Sequence, residues 1–291
     1  AARRSVAGGR RGGVGLCSMT PNLFHDAILY MYALSLLFFF SDFVGANQRA
    51  KRMGTGLLSF VWMLQFAYLA ANLYGKGAMP VFSLADTLLL YSWLLITLSI
   101  VVHRFFRVEL FGFLVNLLGF VILLLPFFLK PDHSVAMQRP LIEDKPLFAH
   151  VVLAVAGYAA FAVAAVFSGM YLFLHRQLKG KNWSQAVKRL PSLQAIDSYA
   201  GRSVIAGTLL LFASLVIGGA RVWAAGDVRL LLDAKVLSSL IVFGAYALDM
   251  IRRYSLRVPG IRSAVWNLAA FALVLLNLIV ANFSSAFHRW S

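Results

Sequence analysis

The side chains in this sequence best suited to chemistry are its six histidines: His25, His103, His133, His150, His175 and His288. A neutral imidazole ligates a transition metal through one ring nitrogen while a hydrogen bond holds the other, and it exchanges protons near neutral pH. The rest of the inventory is thin. Cys17 is the only cysteine, so a CxxC redox pair or a thiol relay is excluded. The sequence contains no Gly-rich phosphate loop, no HExxH zinc helix and no nucleophile elbow. These motifs point away from an enzyme. What matters is which histidines the fold can bring to one place.

The elements that must position them read as membrane helices. Mean hydropathy is +0.78, and only 13% of the 291 residues are charged, too few to cover the core of a water-soluble chain. Apolar residues arrive in blocks of about 20, the length that crosses a hydrocarbon layer of about 30 Å. They lack the alternation of a β-barrel, and a segment in lipid must satisfy its own backbone groups, which selects helices. The blocks predict spans at 24–45, 54–74, 81–102, 109–129, 147–174, 203–224, 234–251 and 264–287, an all-α polytopic transmembrane bundle of about eight helices. Pro80, Pro131, Pro146, Pro191 and Pro259 fall between spans as helix breakers, and Pro126 near the end of the fourth. The fifth span has a small residue at every fourth position, Ala156, Ala160, Ala164 and Ser168, a face suited to close helix packing. Residues 1–18 are Gly/Arg-rich and aperiodic and read as a disordered basic tail. Met19 is an expected alternative start, and a targeting tail is the other reading.

The formal charge of +16 does not indicate a nucleic-acid partner, because the bases sit in short loops between apolar blocks and not on one face of a domain. They indicate orientation instead. The loops after the first, third, fifth and seventh spans hold Arg49, Lys51 and Arg52; Arg104 and Arg107; Arg176, Lys179, Lys181, Lys188, Arg189 and Arg202; and Arg252, Arg253, Arg257 and Arg262. The opposite side holds Lys76, Lys130, Arg139, Lys145, Arg221, Arg229, Lys235 and Arg289, diluted by Asp132, Glu143, Asp144, Asp227 and Asp233. The first set is therefore expected to be cytoplasmic, with both termini on the outer side.

On this topology His103 and His175 lie at cytoplasmic helix ends, where headgroups or helix dipoles satisfy them. His25, His133, His150 and His288 lie on the outer side, His133 in a polar KPDHS loop where it is solvated. His150 opens the fifth span and His288 closes the eighth. Two imidazoles distant in sequence, at one depth and on one face, can supply two axial ligands to a heme. Interfacial histidines without a ligand are also common, so topology alone leaves both readings open. Asp42, Asp86 and Asp249 sit near span ends within reach of water or a base, and no chain of carboxylates suggests proton-coupled transport. Asn116 and Asn277 are expected to join neighbouring helices by hydrogen bonds. Six tryptophans and ten tyrosines suit interfacial anchoring.

Three stretches of the second half carry a resemblance. LPSLQAIDSYAGRSVIAGTLLLFASLVIGGARVWA (190–224) has a Leu-Pro-Ser-Leu opening. AHVVLAVAGYAAFAVAAVFSGMYLFLHRQLK (149–179) is a helix begun by a histidine and ended by bases. FSSAFHRW (283–290) is a short motif around a second histidine. Residues 147–291 thereby resemble the cytochrome c assembly (CcsA/CcmC) superfamily of heme-handling membrane proteins. The assembly proteins have a Trp-rich WxWDPKE signature in the following outer loop. Here that loop reads AGDVRLLLDAKVLSS (225–239), in which Asp233 and Lys235 match the Asp-Pro-Lys pattern and Leu231 and Leu232 replace the aromatic platform. That departure, the absence of a large outer domain, and a first half with Asp42-Phe43, Trp62 and Gln65 are similar to the HemX-type branch.

The resemblance divides the chain into the tail (1–18), a first group of four helices with an outer loop (19–146) and an assembly-like group of four (147–291). It implies a non-enzymatic, b-type, non-covalent heme site at the outer face. His150 and His288 would be the axial ligands to the heme iron, and Arg221, Arg229, Asp233 and Lys235 would surround the heme, the bases pairing with its propionates. It also implies a bacterial plasma-membrane location and a role in heme handling or in the regulation of heme biosynthesis, as a negative effector of glutamyl-tRNA reductase. The basic segment 176–202 is the expected contact for that partner. The competing readings are a membrane transporter of heme or another small molecule, and an interaction protein whose heme site has decayed.

Overall fold

The computed structural model describes residues 21–45, 47–74, 84–105, 109–129, 145–181, 187, 190–225, 234–258 and 260–287. The described residues form eight long α-helices and no strand: α1 (Pro21–Gly45), α2 (Gln48–Tyr74), α3 (Leu84–Phe105), α4 (Glu109–Leu129), α5 (Lys145–Lys179), α6 (Leu193–Ala225), α7 (Ala234–Tyr254) and α8 (Gly260–Phe287). Seven of them are long and apolar enough to cross a membrane. The protein is thus a multi-pass membrane protein. The exception by that measure is α7, where Lys235, Asp249, Arg252 and Arg253 interrupt the apolar stretch.

Local sequence explains where the helices begin and end. Asn47 caps α2, its side-chain oxygen accepting from the Arg49 amide at 3.0 Å. Ser192 caps α6: its hydroxyl accepts from the Ala195 amide at 3.3 Å, and its carbonyl accepts from the Ile196 amide at 3.0 Å. The Leu-Pro-Ser-Leu stretch is therefore a helix start, with Pro191 ending the preceding segment and Ser192 opening the next. α5 and α6 run well past the spans expected at 147–174 and 203–224. α5 has 35 residues and α6 has 33, each far longer than the hydrocarbon layer requires. No breaker interrupts 175–179, so Arg176 and Lys179 remain helical until the chain turns at Lys181, whose φ is 55°. Arg202 lies inside α6, so the segment taken as the loop 176–202 is in large part the helical ends that flank it.

α5 is the axis of the second half. It packs most extensively against α6 and also meets α3, α4 and α8, while α1–α2, α3–α4 and α7–α8 pair as hairpins. One apolar core joins α3–α8, and a second joins α1–α4 around Tyr32, Val61, Leu89 and Leu123. α6 turns the opposite stripe, with Leu209, Phe212 and Val216, outward toward lipid. The α5–α6 crossing is closest at Gly157 and Gly207. A Cβ on Gly157 would stand 3.1 Å from the Gly207 carbonyl oxygen, and one on Gly207 would stand 2.6 Å from the Phe161 ring. Of the expected small-residue face, Ala164 and Ser168 are fully buried and Ala156 and Ala160 half-buried; the tightest contact with α6 runs beside it, through Gly157 and Phe161, one turn apart.

The two asparagines do join helices. Asn116 Nδ2 donates to Ser99 Oγ at 2.8 Å, linking α4 to α3. Asn277 Nδ2 donates to the Tyr158 hydroxyl at 2.7 Å, linking α8 to α5, and Ser238 of α7 donates to Asn277 Oδ1 at 2.6 Å. Of the two routes expected for Asp249, water is closed, because it lies fully buried on the bundle-facing side of α7; the bases Arg252 and Arg253 follow it within about a turn.

Candidate functional site

His150 lies in the second turn of α5, half-buried against α6. Its Nδ1 stands 2.6 Å from the carbonyl oxygen of Ser214 and 3.0 Å from the Ser214 hydroxyl. That hydroxyl also lies 2.8 Å from the His150 carbonyl, to which it donates its single proton. A carbonyl can only accept, so the Nδ1–carbonyl contact requires the proton on Nδ1. Nδ1 is therefore the donor, and in the neutral ring it is Nε2 that keeps its lone pair. This is the arrangement in which an imidazole ligates a metal, with the distal nitrogen oriented by a backbone carbonyl.

Gly218, one turn after Ser214 on the same face of α6, makes room for the ring. A Cβ there would stand 2.8 Å from both Cε1 and Nδ1 of His150. Ser214 and Gly218 are the site residues that the sequence reading missed. Their signal was present as two small residues one turn apart in a Leu/Val-rich helix, but nothing in the sequence pairs them with His150.

Register indicates what shares this end of the bundle. Gly157 with Gly207, and His150 with Ser214, make α5 and α6 antiparallel. Asn267 of α8 donates to Ser168 of α5 at 3.0 Å, and Asn277 to Tyr158, so α8 is also antiparallel to α5. Eight residues beyond the Tyr158–Asn277 pair, this register brings position 285 of α8 level with His150. Arg221, exposed two turns past Ser214 on α6, and Lys235, exposed at the start of α7, stand at the same end. His288, Arg229 and Asp233 lie outside the described residues, as does His133. Among the remaining histidines, His25 contacts the Phe127 ring at 5.6 Å, and His175 stacks on Tyr171 toward the opposite end of α5. No group of three or more His, Cys, Asp or Glu able to hold a metal ion occurs among the described residues. What the arrangement offers chemically is a single imidazole, oriented through Nδ1 by the Ser214 carbonyl.

Residues 81–288 match the family described as cytochrome c assembly protein. The chain belongs to that family. The match begins just before α3 and includes all of α5–α8, so the matched segment covers His150, Ser214 and Gly218 together with position 288. Two family relatives are similar over nearly the whole chain. Protein HemX of Brevibacillus brevis is 39% identical over 269 residues, which cover 91% of this chain and 97% of the relative. Protein HemX of Bacillus subtilis (strain 168) is 32% identical over 269 residues, 92% of this chain and 97% of the relative. The resemblance read from the second half thus extends through the first, including α1 and α2, which lie outside the family match.

Proposed function

We propose that this protein is a non-enzymatic heme-binding protein of the bacterial plasma membrane, with heme held at the outer face between His150 and His288. The observation that supports this most directly is the Nδ1 contact of His150 with the Ser214 carbonyl at 2.6 Å, which leaves Nε2 as a free lone pair. The α8 register adds to it, because α8 ends at Phe287, one residue before His288 and within a turn of the level of His150. Bound heme would supply an iron centre, which His150 and His288 would hold through imidazole nitrogens. In this reading the heme is b-type and non-covalent, Arg221, Arg229 and Lys235 offer charge to its propionates, and both termini are on the outer side, as the loop charges indicate.

The visible absorption spectrum of the purified protein, oxidised and reduced, with His150→Ala and His288→Ala alongside, tests the reading. A sharp Soret band with low-spin bands on reduction, weakened in both variants, is expected. A flat spectrum after hemin addition would remove the proposal.

A finer part of the reading concerns output. Heme occupancy at the α5–α6 interface would alter packing along both helices, whose opposite ends carry Arg176, Lys179 and Arg202. The partner proposed there is glutamyl-tRNA reductase, on the strength of the HemX-type resemblance. If neutralising these bases left the cellular level of the reductase unchanged, that step would be discarded while the heme site stood.

A further inference from the structure

The α7–α8 hairpin turns after Tyr254, and four arginines gather at that end of it: Arg252, Arg253, Arg257 and Arg262. Two acids stand beside them. Asp197 of α6 accepts from Arg253 Nη1 at 2.7 Å, and Asp249 is fully buried one turn back along α7. Four bases against two acids leave an excess of two positive charges even with both acids ionised.

One of the four is held in a fixed pose. Trp266 of α8 donates from Nε1 to the Ala245 carbonyl of α7 at 3.0 Å, which pins the indole against its neighbour. Arg252 lies over the pinned ring, its guanidinium carbon 4.5 Å from the centroid. Stacking occupies a face of the guanidinium and leaves the N–H donors around its edge for a ligand. The register of the hairpin, set by Ala245 with Trp266 and by Ser238 with Asn277, brings Arg262 level with Arg252. Arg262 precedes Trp266 by one turn, shares its face and is exposed. About one turn further into the membrane, Leu248 of α7 and Val265 of α8 are exposed as well.

Two guanidinium groups thus stand level at the edge of the apolar layer, above a surface that faces lipid. A phosphate that carries acyl chains matches both parts. Its oxygens accept from the guanidinium edges, while its chains lie against Leu248 and Val265. A zwitterionic headgroup fits less well, because it brings its own ammonium toward an excess of positive charge. We propose that Arg252 and Arg262, with Trp266 as the shelf beneath Arg252, bind the headgroup phosphate of an anionic phospholipid. Arg176, Lys179 and Arg202, the bases assigned above to a protein partner, lie on α5 and α6 and take no part in it. The site is independent of any heme at the other end.

Native mass spectrometry of the intact protein, released from detergent with phosphatidylglycerol or phosphatidylcholine added, counts the lipids that stay bound. The wild type is expected to retain phosphatidylglycerol in preference. A base near an anionic surface contributes about fivefold to affinity, so Arg252→Gln and Arg262→Gln are each expected to weaken phosphatidylglycerol binding about fivefold, and together about 25-fold. Arg252→Lys keeps the charge but loses the planar, stacked group, and is expected to lose part of the binding. The pair Arg176→Gln and Lys179→Gln, which removes as much charge from α5, is expected to leave it unchanged. Equal retention of the two lipids by the wild type overturns the proposal, as does unchanged phosphatidylglycerol binding in the double variant. An equal loss in the α5 pair also overturns it, because bulk charge would then select the lipid. Should the double variant fail to fold, Arg262→Gln, at an exposed position, decides alone: unchanged binding there overturns the proposal.

Discussion

His150 and Ser214 hold each other reciprocally across two antiparallel helices. The histidine ring donates to the serine carbonyl at 2.6 Å, and the serine hydroxyl donates to the histidine carbonyl at 2.8 Å. Each residue uses its side chain to reach the other's backbone, so rotation or sliding of α5 against α6 breaks both contacts together. The ring is therefore oriented by the packing of the bundle and not by its own rotamer preference.

Ser214→Ala separates these two contacts. The carbonyl of residue 214 remains to orient Nδ1, while the hydroxyl bond is lost. Thermal unfolding is expected to show a loss of about 1 kcal/mol, the usual size of one interhelical hydrogen bond in a membrane. Hemin titration is expected to show weaker binding, by a smaller factor than His150→Ala produces. An unchanged thermal midpoint together with unchanged hemin binding would show that the hydroxyl does not hold the histidine.

Gly218 and Gly219 offer a paired comparison. A methyl on Gly218 would stand 2.8 Å from the His150 ring, whereas one on Gly219 meets nothing within 4 Å. Gly218→Ala must push the imidazole away from its carbonyl partner, and a ligand misplaced by an ångström loses most of its value. Its hemin binding is expected to fall nearly as far as that of His150→Ala. Gly219→Ala is expected to bind hemin normally, and to gain a few tenths of a kcal/mol at most from better helix propensity. Equal hemin binding in the two variants would contradict the placement of His150 against Gly218.

The α5–α6 crossing makes a second pair. Gly207→Ala places a methyl 2.6 Å from Phe161 and 3.0 Å from the Gly157 carbonyl, while Gly169→Ala meets nothing within 4 Å. Overpacking of this kind costs about 1–3 kcal/mol. Thermal unfolding is expected to show that loss for Gly207→Ala and no loss for Gly169→Ala.

The fold was legible in the sequence because lipid leaves few alternatives: an apolar block of the right length must be a helix. Helix ends were less legible. α5 and α6 extend beyond their apolar spans because Arg176, Lys179 and Arg202 are good helix formers with no breaker among them, and hydropathy is blind to that. The lesser hydropathy of α7 follows from Lys235, Asp249 and its two terminal arginines. At the site, His150 was legible as a residue type at a helix start. Ser214 and Gly218 were not, because their role exists only once α6 lies antiparallel on α5 in one register, which no local pattern specifies. The burial of Asp249 was hidden for the same reason. Its distance from the end of the apolar block suggested access to water, but the face it occupies is set by contacts with α6 and α8.

The apolar stretch of α7 is interrupted by charge, and polar contacts also tie it to its neighbours. Three residues on three helices form one such tie: the Tyr158 hydroxyl accepts from Asn277 Nδ2 at 2.7 Å, and Asn277 Oδ1 accepts from Ser238 at 2.6 Å. Ser239 adds a longer contact to Asn277 at 3.3 Å, so removing one partner does not empty the site. Asn277 is the centre, and its substitution should cost more than either outer one. Ser238→Ala and Tyr158→Phe are each expected to destabilise by about 0.5–1.5 kcal/mol. In a cycle with Asn277→Ala, each outer change is expected to lose most of its effect, giving a coupling energy of about 0.6–1.7 kcal/mol, the range for membrane hydrogen bonds. Strictly additive effects in thermal unfolding would mean that the three residues act separately.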